Sequence, residues 1–194
     1  MSSNTHRLAR KVADPWLMII DMQRIFGEPG SEWTTPAYAA ASAGIQRLLS
    51  SFESRICFTR FVPPDPPTGV WISYYEKWTF ALDPANAPLY ELSDEFISVP
   101  ATVVDRTTFG KWDAEVNRLL GHPQEIVLAG VTTDCCVLST AVAACDAGVH
   151  VTVVADACAG VTPNDHQRAL DAMALYSPMI DVTEVDTVLA SLAT

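Results

Sequence analysis

Six short apolar runs punctuate the chain: WLMIID (16–21), RICFTRF (55–61), ATVVD (101–105), EIVLAG (125–130), HVTVVAD (150–156) and MIDVT (179–183). Each is rich in Val, Ile and Leu and lacks the strict polar alternation of a half-exposed strand. Continuous runs of this kind suit strands buried on both faces of a parallel sheet. Between them, apolar positions recur at helical spacing near 36–52, 112–120, 134–147, 164–175 and 184–192. The punctuation agrees: Thr35 precedes Pro36, Thr162 precedes Pro163, and Gly148 closes the segment 134–147. The alternation predicts an α/β fold, a three-layer αβα Rossmann-like sandwich around a six-stranded, mainly parallel sheet.

Residues 62–100 break this rhythm. A proline cluster, FVPPDPPTG, leads into the aromatic-dense VWISYYEKWTF, where Trp71, Tyr74, Tyr75 and Trp78 fall at i, i+3, i+4 and i+7. In a helix these four form one stripe, which fits core, subunit contact or ligand wall. With 194 residues and no repeat, the chain is expected to be a single domain over 1–194, with 62–100 as an irregular substrate or interface segment.

Composition narrows the class. Apolar residues make up 49% of the chain and charged residues 18%, which fits a compact protein rather than a disordered one. No apolar run reaches the roughly 18–20 residues of a membrane span, and MSSNTHRLARKV lacks the apolar stretch of a secretory signal, so a cytoplasmic location is expected. The five cysteines are odd in number and sit mostly in apolar segments, the pattern of reduced thiols. A net charge of −11 argues against nucleic acid and anionic membrane as partners.

In an open parallel sheet, ligands bind outside the carboxyl ends of the strands, so polar residues directly after strands come first. Asp21 ends the run LMII, although alone it fits a turn cap as well. Lys111, in RTTFGKWD, stands at a helix entry, where the macrodipole disfavours a cation. A solvated surface lysine is the plain alternative. Cys135 and Cys136, in GVTTDCCVLST, sit where EIVLAG turns into a helix expected to be capped by Thr132 or Thr133. Free N–H groups there favour a thiolate nucleophile over an inert buried thiol. None of His6, His122, His150 and His166 is predicted to follow a strand's carboxyl end, so Asp21, Lys111 and one of the two cysteines make the better catalytic set.

Taken together, DMQRIF, RTTFGKWD and GVTTDCCV resemble the three motifs of the isochorismatase-like cysteine hydrolases, the superfamily of nicotinamidases and N-carbamoylsarcosine amidohydrolases. The resemblance spans roughly residues 14 to 185, in order and spacing. It implies Cys136 as nucleophile and Asp21 as proton acceptor and later donor, with Lys111 steadying both and Cys135 on a variable, structural position. It also implies a cis peptide at Val131–Thr132, which would aim the N–H groups of Thr132 and Cys136 at one point as an oxyanion hole. Asp156 and His166 match family positions of a structural kind. Gln23, Phe26, Trp71, Tyr75, Trp78 and Phe109 are the further candidates for substrate binding, and Arg60 for holding a substrate carboxylate or an interface ion pair.

The departures carry information too. Nicotinamidases of the superfamily place an Asp and His metal cluster after the second strand, whereas this chain has no histidine between His6 and His122. No metal and no cofactor are therefore expected. Isochorismatases commonly lack the cysteine. The resemblance thus implies a metal-independent amidohydrolase acting on a small amide, carbamoyl or ureido compound, assembled as a homodimer or homotetramer with the aromatic stripe of 71–80 as a candidate surface. Vinyl ether hydrolysis of the isochorismatase type is the alternative within enzymes, and a thiol-redox or interaction protein using Cys135 and Cys136 the alternative outside them.

Overall fold

A computed structural model describes residues 14–193, and the single-domain expectation extends beyond them to residues 1–13, with His6, and 194, which lie outside the described range. Six strands form one sheet: β1 (Trp16–Ile20), β2 (Ile56–Phe61), β3 (Thr102–Arg106), β4 (Glu125–Val131), β5 (His150–Ala159) and β6 (Ile180–Thr183). Every pairing is parallel, and the spatial order is β3-β2-β1-β4-β5-β6. All six apolar runs became strands, shifted by a residue or two, apart from β5, which continues through Ala159.

The continuous apolar runs follow from burial on both faces. Along β1, Leu17 and Ile19 point to one face while Met18 and Ile20 point to the other, and all four are fully buried. On the first face the strands meet α2 (Tyr38–Leu49) and α8 (Val185–Leu192), through Ala41, Ile45, Leu48, Val185 and Val188. On the second they meet α5 (Ala114–Leu119), α6 (Leu138–Asp146) and α7 (Pro163–Ala174), through Val116, Ala141, Ala144, Leu170 and Met173. This is the expected three-layer sandwich. Thr162 caps α7, accepting the Asp165 N–H at 3.1 Å. The left-handed Gly148 (φ 86°) ends α6.

Two further short helices, Arg24–Gly27 (α1) and Asp94–Ile97 (α4), and α3 (Val70–Lys77) with 3-10 turns at Thr79–Leu82 and Pro84–Tyr90, pack over the first face. The aromatic stripe of α3 turns inward: Tyr75 is buried, and Trp71, Tyr74 and Trp78 are half-buried against the first core. Much of the stripe is thus spent on this chain's own core. The outward residues of that helix are Val70, Ile72, Ser73, Glu76 and Lys77. Among the described residues, no helix is long and apolar enough to cross a membrane.

Candidate active site

The strand order reverses between β1 and β4, which places the ligand crevice at their carboxyl ends. The register pairs Ile20 with Gly130, so the residues that follow, Asp21 on one strand and the 131–136 turn on the other, emerge side by side. The close approach requires a glycine. A Cβ on Gly130 would lie 2.1 Å from the Ile20 carbonyl oxygen, and its φ is +119°. Asp21 itself is left-handed (φ 51°), a conformation that aspartate tolerates better than most residues. Thr59 on β2 holds it, donating from Oγ1 to Oδ1 at 2.7 Å.

Lys111 reaches Asp21 from the β3–α5 connection, its Nζ 3.1 Å from Oδ2, and both side chains are fully buried. Nζ also donates to the Thr108 carbonyl at 2.6 Å and lies 4.7 Å over the Phe61 ring. A buried ammonium thus has a carboxylate, a carbonyl and a ring face as its surroundings. Sequence reading left a solvated surface lysine open; burial closes that option.

The cysteines sit in a π-helical turn, Thr133–Val137, between β4 and α6. Turns of this kind gather at functional sites. The Val131–Thr132 peptide is cis, as the resemblance implies. Neither threonine caps the turn through its side chain, contrary to expectation. Thr133 Oγ1 instead lies 2.8 Å from His166 Nδ1 on α7, and Asp134 accepts the Val161 N–H at 2.9 Å. Asp156 accepts the Val185 N–H at 2.8 Å, which ties β5 to α8. His166 and Asp156 are thus structural ties.

Cys136 is buried, close enough to Asp21 and Lys111 for its thiol to feel both charges. Burial first, and then the Asp21 charge, push the thiol pKa well above the usual range, while Lys111 pulls against them. The preformed thiolate expected from the helix start is therefore not the resting state. Thr140, one turn beyond Cys136, donates to the Cys136 carbonyl at 2.6 Å and accepts the Lys111 N–H at 3.0 Å. One buried hydroxyl so joins the lysine and cysteine motifs. Nothing in the sequence marked Thr59 or Thr140 beyond their places in a strand and a helix.

A cavity of about 240 Å³ opens above the sulfur. Its floor includes Thr132, Cys135 and Cys136, and six rings form its wall: Phe26, Trp33, Phe61, Tyr74, Trp78 and Phe109. Glu32, Thr34 and Val161 complete it. Of the expected substrate-binding residues, Phe26, Trp78 and Phe109 line the cavity. Trp71 stands one layer behind, with its ring centroid 5.0 Å from that of Phe109. Tyr75 is buried under the helix and is not part of this wall. Cys135, expected to be structural, does line it.

Gln23 and Arg60 are corrections. The fully buried Gln23 side chain donates to the carbonyls of Phe61 (3.0 Å) and Tyr90 (2.6 Å) and accepts the Phe61 N–H (2.8 Å). Its hydrogen bonds are spent on holding the end of β2 to the 3-10 segment, so nothing remains for a substrate. Arg60 is held bidentately by Asp105 (2.7 and 2.8 Å) and by Glu91 (2.7 Å). It faces neighbours on its own side of the sheet and takes no part in the cavity wall. Trp33 is the converse case: sequence reading passed over it, yet it packs against Phe26, Phe61, Tyr74, Trp78 and Phe80.

The segment after β2 does not fit the zinc site of the nicotinamidases. It offers Asp65 but no imidazole, and among the described residues no three His, Cys, Asp or Glu side chains are gathered to hold a metal ion.

Comparison with known proteins agrees on the architecture. The chain superimposes on a cysteine hydrolase from Pseudomonas syringae pv. phaseolicola 1448A with a TM-score of 0.82 and 18% identity, covering 93% of this chain and 92% of that one. It matches an isochorismatase-like hydrolase from Alkaliphilus metalliredigens with a TM-score of 0.75 and 17% identity, covering 92% and 99%. For a nicotinamidase from Bacillus subtilis the TM-score is 0.68 and the identity 20%, covering 89% and 100%. No curated protein sequence matches. Residues 15–186 match the family model of the isochorismatase domain, and with that span covered the chain belongs to the isochorismatase family of hydrolases.

Proposed function

We propose that this chain is a cysteine amidohydrolase that cleaves the C–N bond of a small amide, carbamoyl or ureido compound through a thioester, with Cys136 as nucleophile, Asp21 as proton acceptor and donor, and Lys111 between them. One observation carries the reading: a thiol at the floor of a cavity, and a carboxylate and an ammonium buried beneath it, come together from three separate motifs.

The electrostatics favour a coupled step. Free ionisation of Cys136 would leave a thiolate stripped of water and set it beside the Asp21 charge, which is why the thiol holds its proton. Transfer of that proton to Asp21 only moves the charge from oxygen to sulfur, with Lys111 near both, so the buried net charge is unchanged. The sulfur then bonds the carbonyl carbon. N–H groups of Thr132 and Cys136 serve the oxyanion. As the tetrahedral centre collapses, the C–N bond breaks and nitrogen leaves with the proton held by Asp21. Water attacks the thioester, gives its proton to Asp21, and the departing sulfur recovers the thiol. No step is routed through a metal.

The test is acid-quenched mass spectrometry during turnover of primary amides, alongside ammonia release with and without chelator. An acyl adduct on Cys136, absent in Cys136→Ala together with all turnover, is expected. Turnover by the Cys136→Ala protein would end the proposal.

A further inference from the structure

The cavity wall has a one-sided electrostatic character that the cleavage chemistry does not require. Its rings come from four separate places: Phe26 and Trp33 from the stretch after β1, Phe61 at the end of β2, Phe109 after β3, and Tyr74 and Trp78 in and just after α3. The side-chain polar atoms around the cavity, Glu32 apart, are the hydroxyls of Thr34, Thr132 and Tyr74, the indole N–H groups of Trp33 and Trp78, and the two thiols. Burial first, then Tyr75 and the two thiols, push the Tyr74 phenol up, so it stays a neutral donor. The single carboxylate in the wall is Glu32, which is exposed to solvent.

Among the described residues, no lysine or arginine contributes to the wall. The ammonium of Lys111 lies beneath the floor and is matched by Asp21 at 3.1 Å. Arg60 is committed to Asp105 and Glu91. Lys77 lies 5.0 Å over the Trp78 ring and is not one of the wall residues. A carboxylate entering this space would lose its water and meet ring faces, which are negative, and an acidic mouth. A neutral ring or alkyl group would exchange water for apolar surface. A cavity of about 240 Å³ also falls below the roughly 300–1,000 Å³ of drug-sized sites, so the occupant is small.

We propose that the substrate is an uncharged amide whose non-reacting part is a single ring or a compact alkyl group without a carboxylate, that Trp33 sets this preference, and that Glu32 turns away anions. This rests on the amidohydrolase reading and adds its substrate class. It has a second consequence. Hydrolysis converts a neutral amide into a carboxylate inside the same cavity, so the acid product meets the surroundings that exclude anionic substrates and leaves. Weak product inhibition is built into the wall.

Binding separates the inference from the reading beneath it. Tryptophan fluorescence of the Cys136→Ala protein is titrated with three matched probes: 3-phenylpropanamide, its para-carboxylate, and 3-phenylpropanoic acid as the product form. The neutral amide is expected to bind about tenfold or more tighter than either anion. Trp33→Ala should remove most of that margin. If that variant does not fold, Glu32→Lys, a change at an exposed position, supplies the test: both anions should gain about threefold or more at low salt, and the gain should fade at high salt. Equal or tighter binding of the carboxylates, no binding of the neutral amide, or loss of anion binding on Lys77→Ala would overturn the proposal. Failure of the wild-type protein to hydrolyse an amide that does bind would instead count against the amidohydrolase reading alone.

Discussion

Replacing Lys111 by methionine isolates the buried charge pair. The two groups are 3.1 Å apart with both side chains at 0% exposure. At an effective dielectric of about 20, that separation corresponds to about 5 kcal/mol of Coulomb attraction. Methionine keeps the length and apolar stem of the side chain but leaves Asp21 charged, buried and opposed to no cation. Breaking a buried pair in this way costs about 3–5 kcal/mol, a large share of the roughly 5–15 kcal/mol that holds a domain folded. Asp21→Asn should cost a comparable amount, since it strands the ammonium. The double variant removes both charges, and its loss should be much smaller than the two single losses added together, because most of each is the penalty of the abandoned partner. Urea denaturation of the four proteins, with fluorescence and circular dichroism as independent probes, gives the coupling energy. A single-variant loss below about 1 kcal/mol, or additivity in the double variant, would refute the buried-pair account.

Three other outcomes follow. Because burial and Asp21 raise the Cys136 thiol pKa while Lys111 lowers it, alkylation by iodoacetamide should be slow at neutral pH and climb as pH rises past the usual thiol range; a plateau near neutrality would contradict this. The two variants should move that profile in opposite directions: Asp21→Asn removes a negative charge and shifts it to lower pH, speeding labelling while abolishing turnover, and Lys111→Met shifts it to higher pH. A shared direction would mean that the charges do not act on the sulfur. Gly130→Ala should destabilise by about 3 kcal/mol or more, read by thermal melting, since its Cβ would lie 2.1 Å from the Ile20 oxygen at φ +119°; a melting point unchanged from wild type would show that β1 and β4 can part there without cost.

The strands were legible because burial on both faces writes continuous apolar runs, and Asp21, Lys111 and Cys136 could be proposed together because topology fixes where the ends of strands lie. Gln23 and Arg60 misled for a shared reason. A polar residue just past a strand end sits beside the crevice whether its hydrogen bonds go to a ligand or to backbone, and only the partners, Phe61 and Tyr90 in one case and Asp105 and Glu91 in the other, decide. Trp33 and Glu32 belong to a stretch with no regular element between α1 and α2, where spacing carries no directional information. The stripe of α3 was visible as a stripe, but which surface it covers depends on how the proline-rich approach from β2 runs, and periodicity is silent on that.

The placement of β1 and β4 in the middle of the sheet divides labour by resistance to opening. Central strands exchange their amide protons last, whereas short helices and turns near the rim open by cheaper excursions. The reacting atoms are delivered by the former, and the rings that greet the incoming molecule come largely from the latter. The recognition surface can therefore breathe to admit and release a small guest while the bond-breaking geometry beneath it stays fixed.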